Sequence, residues 1–160
     1  LNRNMKSGFR LGNINFSINK SVRTTTDFFK KKRIALFSIY EDLNSLDNLN
    51  QLKKFESYYD RIKKLGIHEI YCCAIHNFET LKVKFDDIKI TKTKIIPDEK
   101  GIFYKHLGVK NLDNNFMAII TDGIIEKWWQ NKKNSNIAET KPFNNQAIPE
   151  NCIIYLSGTE

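Results

Sequence analysis

The feature that most constrains this chain is a strand-to-helix unit between residues 34 and 66. Residues 34–40 form an apolar run that is rich in β-favouring residues and too short for a buried helix, so they predict a buried strand. Turn-prone residues fill positions 41–45. Gly66 is expected to end the following helix as a left-handed C-cap. Apolar residues at steps of three and four predict one face of this long amphipathic helix: Leu46, Leu49, Leu52, Phe55, Tyr59, Ile62 and Leu65.

A second strand is expected after that helix, over residues 69–75. A helix that connects two neighbouring strands implies a right-handed βαβ unit with parallel strands. The loop at residues 41–45 then lies at the carboxyl end of the first strand and at the N-terminus of the helix. Ligands and chemistry are found at this position in α/β sheets, so the loop is the predicted site region.

Further elements are predicted after the second strand. Asn77 is expected to cap a helix that has Leu81 and Phe85 on one side. Lysine alternates with apolar residues over positions 89–96, which predicts an edge strand with lysine toward solvent. Residues 101–107 predict a short helix that a glycine stops.

Both ends of the chain also carry local signals. Partial alternation over residues 9–18 predicts a hairpin or short strands, and a short capped helix is expected over residues 28–31. The dipeptide Asp122-Gly123 between two apolar runs predicts a two-residue type I′ hairpin. Residues 130–147 predict a polar surface loop, and Pro149 is expected to begin a final helix.

The order of these segments resembles the peroxiredoxins, in particular the thioredoxin-fold subgroup that includes the mammalian type-five and plant type-II enzymes. Residues 67–78 resemble the second strand of that subgroup and the turn after it. Residues 94–103 resemble its LLAD-x-x-G-x-F segment, and residues 115–125 resemble its RF-x-M-V-V-x-DG-x-V hairpin. The resemblance implies one domain over residues 1–160, an α/β thioredoxin-like fold with a central mixed β-sheet flanked by helices.

The resemblance also implies that the active site is degenerate. Peroxiredoxins carry P-x-x-x-T-x-x-C in the loop and an arginine at the start of the hairpin strand. The matching positions here hold Tyr40, Asn44, Asp47 and Asn115. A thiolate attacks the peroxide O–O bond, whereas a carboxylate is too weak a nucleophile and cannot form a sulfenic acid. We therefore expect a peroxiredoxin-like protein that is not a functional peroxidase and acts by protein binding.

Asp47 has two interpretations at this stage. An acidic residue in the first turn of a helix is favourable by about 0.3–1 kcal/mol, which is reason enough for its presence. Alternatively, its permanent charge mimics a thiolate or sulfinate, and so holds the loop and helix in the arrangement of a reduced peroxiredoxin.

The three cysteines leave open a second function, that of a divergent thiol-dependent antioxidant enzyme. Cys72 and Cys73 are consecutive on a predicted strand, so they point to opposite faces and cannot readily bridge to each other. Cys72 matches the position of a second cysteine in the plant type-II group, but both residues are expected to be buried structural thiols. Cys152 lies in the first turn of the last predicted helix, a position that lowers a thiol pKa, and is the best candidate for a reactive thiol.

Composition bounds the partners and the compartment. The net charge is +8, but arginine is scarce and the lysines are dispersed, so no nucleic-acid partner is expected, and a basic adaptor for anionic surfaces is a third possibility. The sequence shows no cofactor or metal motif and no apolar run long enough to span a membrane.

The small number of cysteines suits a reducing compartment, either the cytoplasm or an organelle lumen. Residues 1–26 contain five bases and no acid, which is consistent with the remnant of a targeting segment or with an N-terminal strand.

The resemblance further implies how the protein associates. Members of the family commonly associate through the faces beside the active-site loop. The expected partners are therefore a second copy of the chain, as a homodimer, or a related peroxiredoxin.

Overall fold

A five-stranded mixed sheet lies at the centre of the computed structural model, which describes residues 7–18, 20–39, 42–109, 115–131 and 146–158. The strands of this part of the chain are β1 (Asn15–Ile18), β2 (Ser21–Thr24), β3 (Arg33–Ile39), β4 (Glu69–Ala74), β5 (Lys94–Pro97), β6 (Phe116–Thr121) and β7 (Ile124–Gln130). Its helices are α1 (Thr25–Phe29), α2 (Leu46–Lys64), α3 (Phe78–Asp87), α4 (Ile102–Leu107) and α5 (Pro149–Leu156). The sheet has the order β5-β4-β3-β6-β7, and β1 pairs with β2 in a separate antiparallel hairpin.

The predicted βαβ unit is confirmed at the centre of the sheet. β3 and β4 pair in parallel, from Ile34 opposite Glu69 to Ile39 opposite Ala74, and α2 connects them. β5 extends the parallel half at the edge beside β4, while β6 lies antiparallel to β3 on the other side. The site region therefore follows the carboxyl end of the central strand, as predicted.

β3 is buried on both faces because helices or the hairpin cover each side of the sheet. Ala35, Phe37 and Ile39 point into one apolar cluster, and Leu36 points into the other. Phe37 stacks on Phe55 of α2, with ring centroids 3.9 Å apart and an interplanar angle of 3°. This contact fixes the middle of α2 directly over the central strand.

The buried face of α2 differs from the predicted one at the start of the helix. Leu46 was expected in the core, but 71% of it is exposed. Ser45 caps the helix, and the first turn directs Asn48 rather than Leu46 inward. The residues of α2 that are buried are Asn48, Gln51, Leu52, Phe55 and Ile62. The prediction was wrong there because two amide side chains find hydrogen-bond partners inside, so polarity did not mark the solvent face.

The edge strand β5 begins at Lys94, later than the predicted position 89. The carboxylate of Glu56 on α2 accepts hydrogen bonds from the backbone N–H groups of Thr91, Lys92 and Thr93, at 2.8, 2.9 and 3.1 Å. These bonds turn the preceding segment toward α2, so it cannot pair with β4 until Lys94.

The short helix near the N-terminus was also predicted three residues too late. α1 spans Thr25–Phe29, and its N-cap is Thr24, whose hydroxyl accepts a hydrogen bond from the N–H of Asp27 at 3.2 Å. The hairpin expected over residues 9–18 lies later in the chain than predicted and forms between β1 and β2.

The hairpin between β6 and β7 has the predicted turn. Asp122 and Gly123 both adopt positive φ, 50° and 79°, as a type I′ turn requires. The Asp122 carboxylate also accepts a hydrogen bond from the N–H of Lys31 at 2.8 Å, which ties the turn to the start of the central strand. Trp129 is buried and Trp128 is half-buried, on opposite faces of β7.

α5 is confirmed, with Pro149 at its first position. Residues 132–145 of the predicted polar loop lie outside the described residues. Within the described part of the chain, no helix combines the length and apolar character needed to cross a membrane.

The carboxylate of Glu126 on β7 joins three elements at one end of the sheet. It accepts two hydrogen bonds from Arg33 of β3, at 3.0 and 2.5 Å, one from Thr121 at 2.7 Å, and one from the Tyr155 hydroxyl of α5. Burial alone would raise the pKa of Glu126, but the hydrogen bonds from Arg33, Tyr155 and Thr121 outweigh it and lower the pKa from 4.5 to about 2.

Replacing Glu126 with Gln should destabilise the protein by about 1–3 kcal/mol at pH 7, because charge-assisted bonds from Arg33 are lost. The folded-state pKa is the lower one, so the contribution is present above the unfolded value near 4.5 and disappears as the pH falls toward 2. Urea unfolding at several pH values should therefore show the difference from wild type shrinking over that window. Asp27→Asn is the control, since its exposed ion pair with Arg23 is worth only about 0.3–0.5 kcal/mol.

Tyr104 of α4 lies fully buried beneath the carboxyl ends of β3 and β4. Its hydroxyl donates toward the carbonyls of Cys73, at 2.9 Å, and Ile39, at 3.1 Å. Burial raises the pKa of Tyr104, so the hydroxyl stays protonated and remains a donor. This one side chain thus holds together the two strand ends that precede the site region.

Replacing Tyr104 with Phe should cost about 1–3 kcal/mol, because it removes a buried donor and leaves two strand-end carbonyls without it. Denaturant unfolding measures the change, and hydrogen exchange should show faster opening at the ends of β3 and β4. Tyr58→Phe on the partly exposed side of α2 should change stability by less than about 0.5 kcal/mol. Equal effects of the two variants would contradict this role.

Candidate functional site

The loop at residues 42–45 and the first turn of α2 form the predicted site region. The Ser45 hydroxyl accepts a hydrogen bond from the N–H of Asn48 at 3.4 Å, and the Asp42 carboxylate accepts one from the N–H of Asn44 at 2.9 Å. These local bonds shape the turn between β3 and α2. Tyr40, which matches the family's proline, lies outside the described residues.

Asp47 stands in the first turn of α2 with its side chain exposed to solvent. The first amides of a helix carry a partial positive charge, so this carboxylate is in a favourable electrostatic position. Asn48, the next residue, is fully buried.

Asn115 is brought to the same place from the far side of the sheet. It immediately precedes β6, is 7% exposed, and donates from Nδ2 to Oδ1 of Asn48 at 3.2 Å. Asn48 in turn donates from Nδ2 to the Asp42 carbonyl at 2.7 Å. Asn48 therefore connects Asn115, which is one of the four matched positions, to the loop that contains Asn44, which is another.

A set of amide side chains, here called the carboxamide cluster, surrounds this contact: Asn48, Gln51, Asn115, Asn131 and Asn151. Gln51 donates to the Ala147 carbonyl at 2.5 Å, and the side chain of Asn131 accepts from the N–H of Ala147 at 2.8 Å. Asn151 donates to the Gln146 carbonyl at 2.8 Å, while the N–H of Asn131 donates to the Asn115 carbonyl at 2.9 Å. The cluster fastens residues 146–147 to α2 and to the sheet.

The carboxamide cluster is suited to structure rather than to proton transfer. Amide side chains donate and accept hydrogen bonds, but they carry no charge and do not titrate near neutral pH. They cannot stabilise a thiolate as a cation does, and they cannot act as a general acid or base. Oδ1 of Asn115 is buried and has no hydrogen-bond partner among the described residues. The free energy lost when this oxygen leaves water is therefore not offset by a hydrogen bond to those residues.

Asn44, at the family's threonine position, contacts α3 instead of the interior. Its Oδ1 accepts a hydrogen bond from Nζ of Lys84 at 2.6 Å. The site loop is therefore connected to a neighbouring helix on the protein surface.

All three cysteines are buried thiols. Cys72 and Cys73 lie in different apolar clusters on the two faces of β4, which confirms the predicted alternation. Burial raises the pKa of both. Cys152 is fully buried too, and burial raises its pKa to about 12. The expectation that its helix position lowers this pKa was wrong, because desolvation of the thiolate outweighs the effect of the helix N-terminus.

Among the described residues, no group of three or more His, Cys, Asp or Glu side chains is placed so that it could hold a metal ion. His106 is bonded to the Gly12 carbonyl at 2.6 Å and so fastens the N-terminal segment to α4.

The predicted site residues did not include Asn48, Gln51, Asn131 or Asn151. A signal was present in α2, since Asn48, Gln51, Phe55 and Ile62 are spaced as one helical face. Asn131 and Asn151 carry no such signal, because their contacts with residues 146–147 depend on how the chain returns to the sheet.

Comparison with known proteins shows that this chain is similar to peroxiredoxins. No protein-family model matches the chain. Peroxiredoxin y4vD of Sinorhizobium fredii is 28% identical over 131 residues, covering 76% of this chain and 70% of the relative. A peroxiredoxin of Rhizobium etli is 28% identical over 130 residues, covering 76% of this chain and 73% of the relative.

Solved structures show the same fold. Reduced Prx3 from Vibrio vulnificus matches with a TM-score of 0.79 at 16% identity, over 95% of this chain and 98% of that chain. The 1-Cys peroxiredoxin of Plasmodium falciparum, an antioxidant protein, matches with a TM-score of 0.79 at 23% identity, over 96% and 99%. The curated relatives and the fold agree with the segments first noted in the sequence, and the chain is a peroxiredoxin-like protein with the thioredoxin fold.

Proposed function

We propose that this peroxiredoxin-like protein lacks peroxidase activity and acts by binding another protein. The observation that carries the proposal is the exposed Asp47 in the first turn of α2, at the position matched to the family's peroxidatic cysteine. Reduction of a peroxide by a thiol forms a sulfenic acid and releases water or an alcohol. A carboxylate at that position cannot take part in this step.

The surroundings of Asp47 support the same conclusion. Asn115 stands where the resemblance places an arginine, and it contributes a neutral amide to the carboxamide cluster. Stabilising a thiolate and the charge that develops on peroxide oxygen calls for positive charge or aimed donors. Among the described residues at the matched positions, the positively polarised N-terminus of α2 is the feature that could stabilise such a charge.

The thiol-dependent alternative requires a cysteine that reacts from the folded state. Cys72, Cys73 and Cys152 are all buried, and burial raises the pKa of each. Because the thiolate is the nucleophile, these surroundings disfavour a reactive role for all three.

Because both kinds of thiol chemistry are disfavoured here, we assign protein binding to the surface around the site loop. By analogy with the family, the partner is a second copy of this chain or a related peroxiredoxin, engaged through the face beside the site loop. That face presents Asp47, Leu46 and the Asn44–Lys84 contact to solvent, none of which the core requires.

The proposal predicts that hydrogen peroxide and an organic hydroperoxide leave the three thiols of the reduced, folded protein intact. Because the thiols are buried, native alkylation near neutral pH should be at least about a hundredfold slower than in denaturant. Asp47→Cys supplies a matched accessible thiol on the same scaffold, and alkylation should modify it rapidly. Thiol counting by mass spectrometry measures both reactions.

Rapid peroxide-dependent loss of one native thiol would contradict the proposal, and mapping that thiol would identify the cysteine that carries out the chemistry. Slow loss of all three, with rapid alkylation of the introduced cysteine, would support it.

Asp47→Asn separates the two interpretations of this carboxylate. If Asp47 serves only the helix N-terminus, the variant should lose about 0.3–1 kcal/mol of stability, as should Glu79→Gln in the first turn of α3. If its charge holds the loop, hydrogen exchange at residues 42–48 should accelerate in the Asp47 variant and not in the Glu79 variant. Unchanged exchange would eliminate the thiolate-mimic interpretation.

A further inference from the structure

A surface groove of about 580 Å³ lies between the site loop and α3. Leu43 and Asn44 form its wall on the loop side, and Val83, Lys84 and Asp87 are among the residues of α3 that line the other. The hydrogen bond from Lys84 to Asn44 spans the two walls at 2.6 Å. The groove is therefore built partly from the same loop that carries the degenerate site.

Apolar side chains are unusually accessible in and beside this groove. Val83 is 69% exposed and lines it. Leu46 is 71% exposed and lies two residues after the groove residue Asn44, at the start of α2. Two of the five large apolar side chains that are exposed in the described chain thus belong to this region, and exposed apolar groups beside polar ones mark interaction surfaces.

The charge around the groove is opposite to that of the whole chain. Asp86 and Asp87 line it, and Asp42 immediately precedes the loop residues of its wall in the sequence. The neighbouring cations are engaged at short range: Lys84 bonds to Asn44, and Lys82 pairs with Asp86 at 2.9 Å. The lining therefore holds two carboxylates and one lysine, a local excess of negative charge on a protein of net charge +8.

We propose that this groove docks a partner segment in which apolar side chains alternate with lysine or arginine. The apolar part would cover Val83, and the basic part would face Asp86 and Asp87. Complementary charge sets the register of such contacts and speeds association, while buried apolar side chains supply most of the affinity. This inference rests on the proposed binding function and identifies the chemistry of the partner.

The test uses a fluorescently labelled peptide of twelve residues in which leucine pairs alternate with lysine pairs, together with the same peptide carrying glutamate in place of lysine. Fluorescence anisotropy with the full chain measures both. Val83→Asp should weaken binding of the lysine peptide about tenfold or more, as loss of a central apolar contact does. Asp87→Lys should weaken it and reduce its salt dependence.

Val22→Asp is the matched control, because Val22 on the β1–β2 hairpin is also 69% exposed. It should leave the affinity for the lysine peptide within about twofold. Since both valines are on the surface, circular dichroism should show all variants folded. Equal binding of the two peptides, equal binding by wild type and Val83→Asp, or no binding of the lysine peptide would each overturn the assignment.

Sedimentation of the same variants distinguishes this inference from the proposed function. If the wild type self-associates and Val83→Asp, but not Val22→Asp, abolishes that association, the occupant is another copy of this chain. The basic partner segment is then wrong, while the binding function stands. Peroxide turnover by the wild type would instead defeat the proposed function, whatever the peptide does.

Discussion

The structure depends on the burial of its central strand on both faces. β3 pairs with β4 on one side and β6 on the other, and its side chains point alternately into two apolar clusters. A strand in this position cannot shift by one residue without sending its apolar set to the wrong layer. Its carboxyl end is therefore fixed, and so is the start of the loop that leads into α2. The stack of Phe37 on Phe55 then fixes the helix relative to the strand.

That fixed frame explains how the site region holds its shape without a thiol at position 47. The loop is held by its own cap at Ser45, by the strand-end contacts of Tyr104, and by the carboxamide cluster below it. None of these contacts requires a thiol or a cation. A frame that positions a nucleophile can equally well present Asp47, because the backbone around it is determined by packing and by neutral hydrogen bonds.

The sequence predicted the parts of the fold in which local pattern and tertiary packing agree. β3, β4 and the Asp122-Gly123 turn are such cases, since apolar runs and turn chemistry point to the same structure as the final packing. The start of α2 is the opposite case: Leu46 is apolar and exposed, and Gln51 is polar and buried. Polarity alone cannot show which amide will meet a carbonyl contributed by a segment almost a hundred residues away.

The sequence predicted the location of the site loop, but it did not predict which side chains pack around that loop. The resemblance located Asn44, Asp47 and Asn115, while the neutral network that connects Asn115 to the helix depends on long-range contacts. Cys152 shows the same limit for reactivity. Its helix position is visible in the sequence, whereas the burial that raises its pKa depends on the layer packed over it. Local electrostatics favoured a reactive thiol, and desolvation, a property of the whole fold, outweighed it.

The thiols of this chain are buried, whereas charged and apolar side chains near the site loop are exposed. Its thiols, the groups capable of redox chemistry, lie in the apolar clusters. What it presents beside the site loop is a carboxylate, two accessible apolar side chains and a groove with acidic residues. Exposed apolar area costs free energy in solution, and that cost is recovered when a partner covers it. This distribution is the basis of the proposed binding function, because the thiols are buried while the apolar and charged side chains beside the loop are accessible.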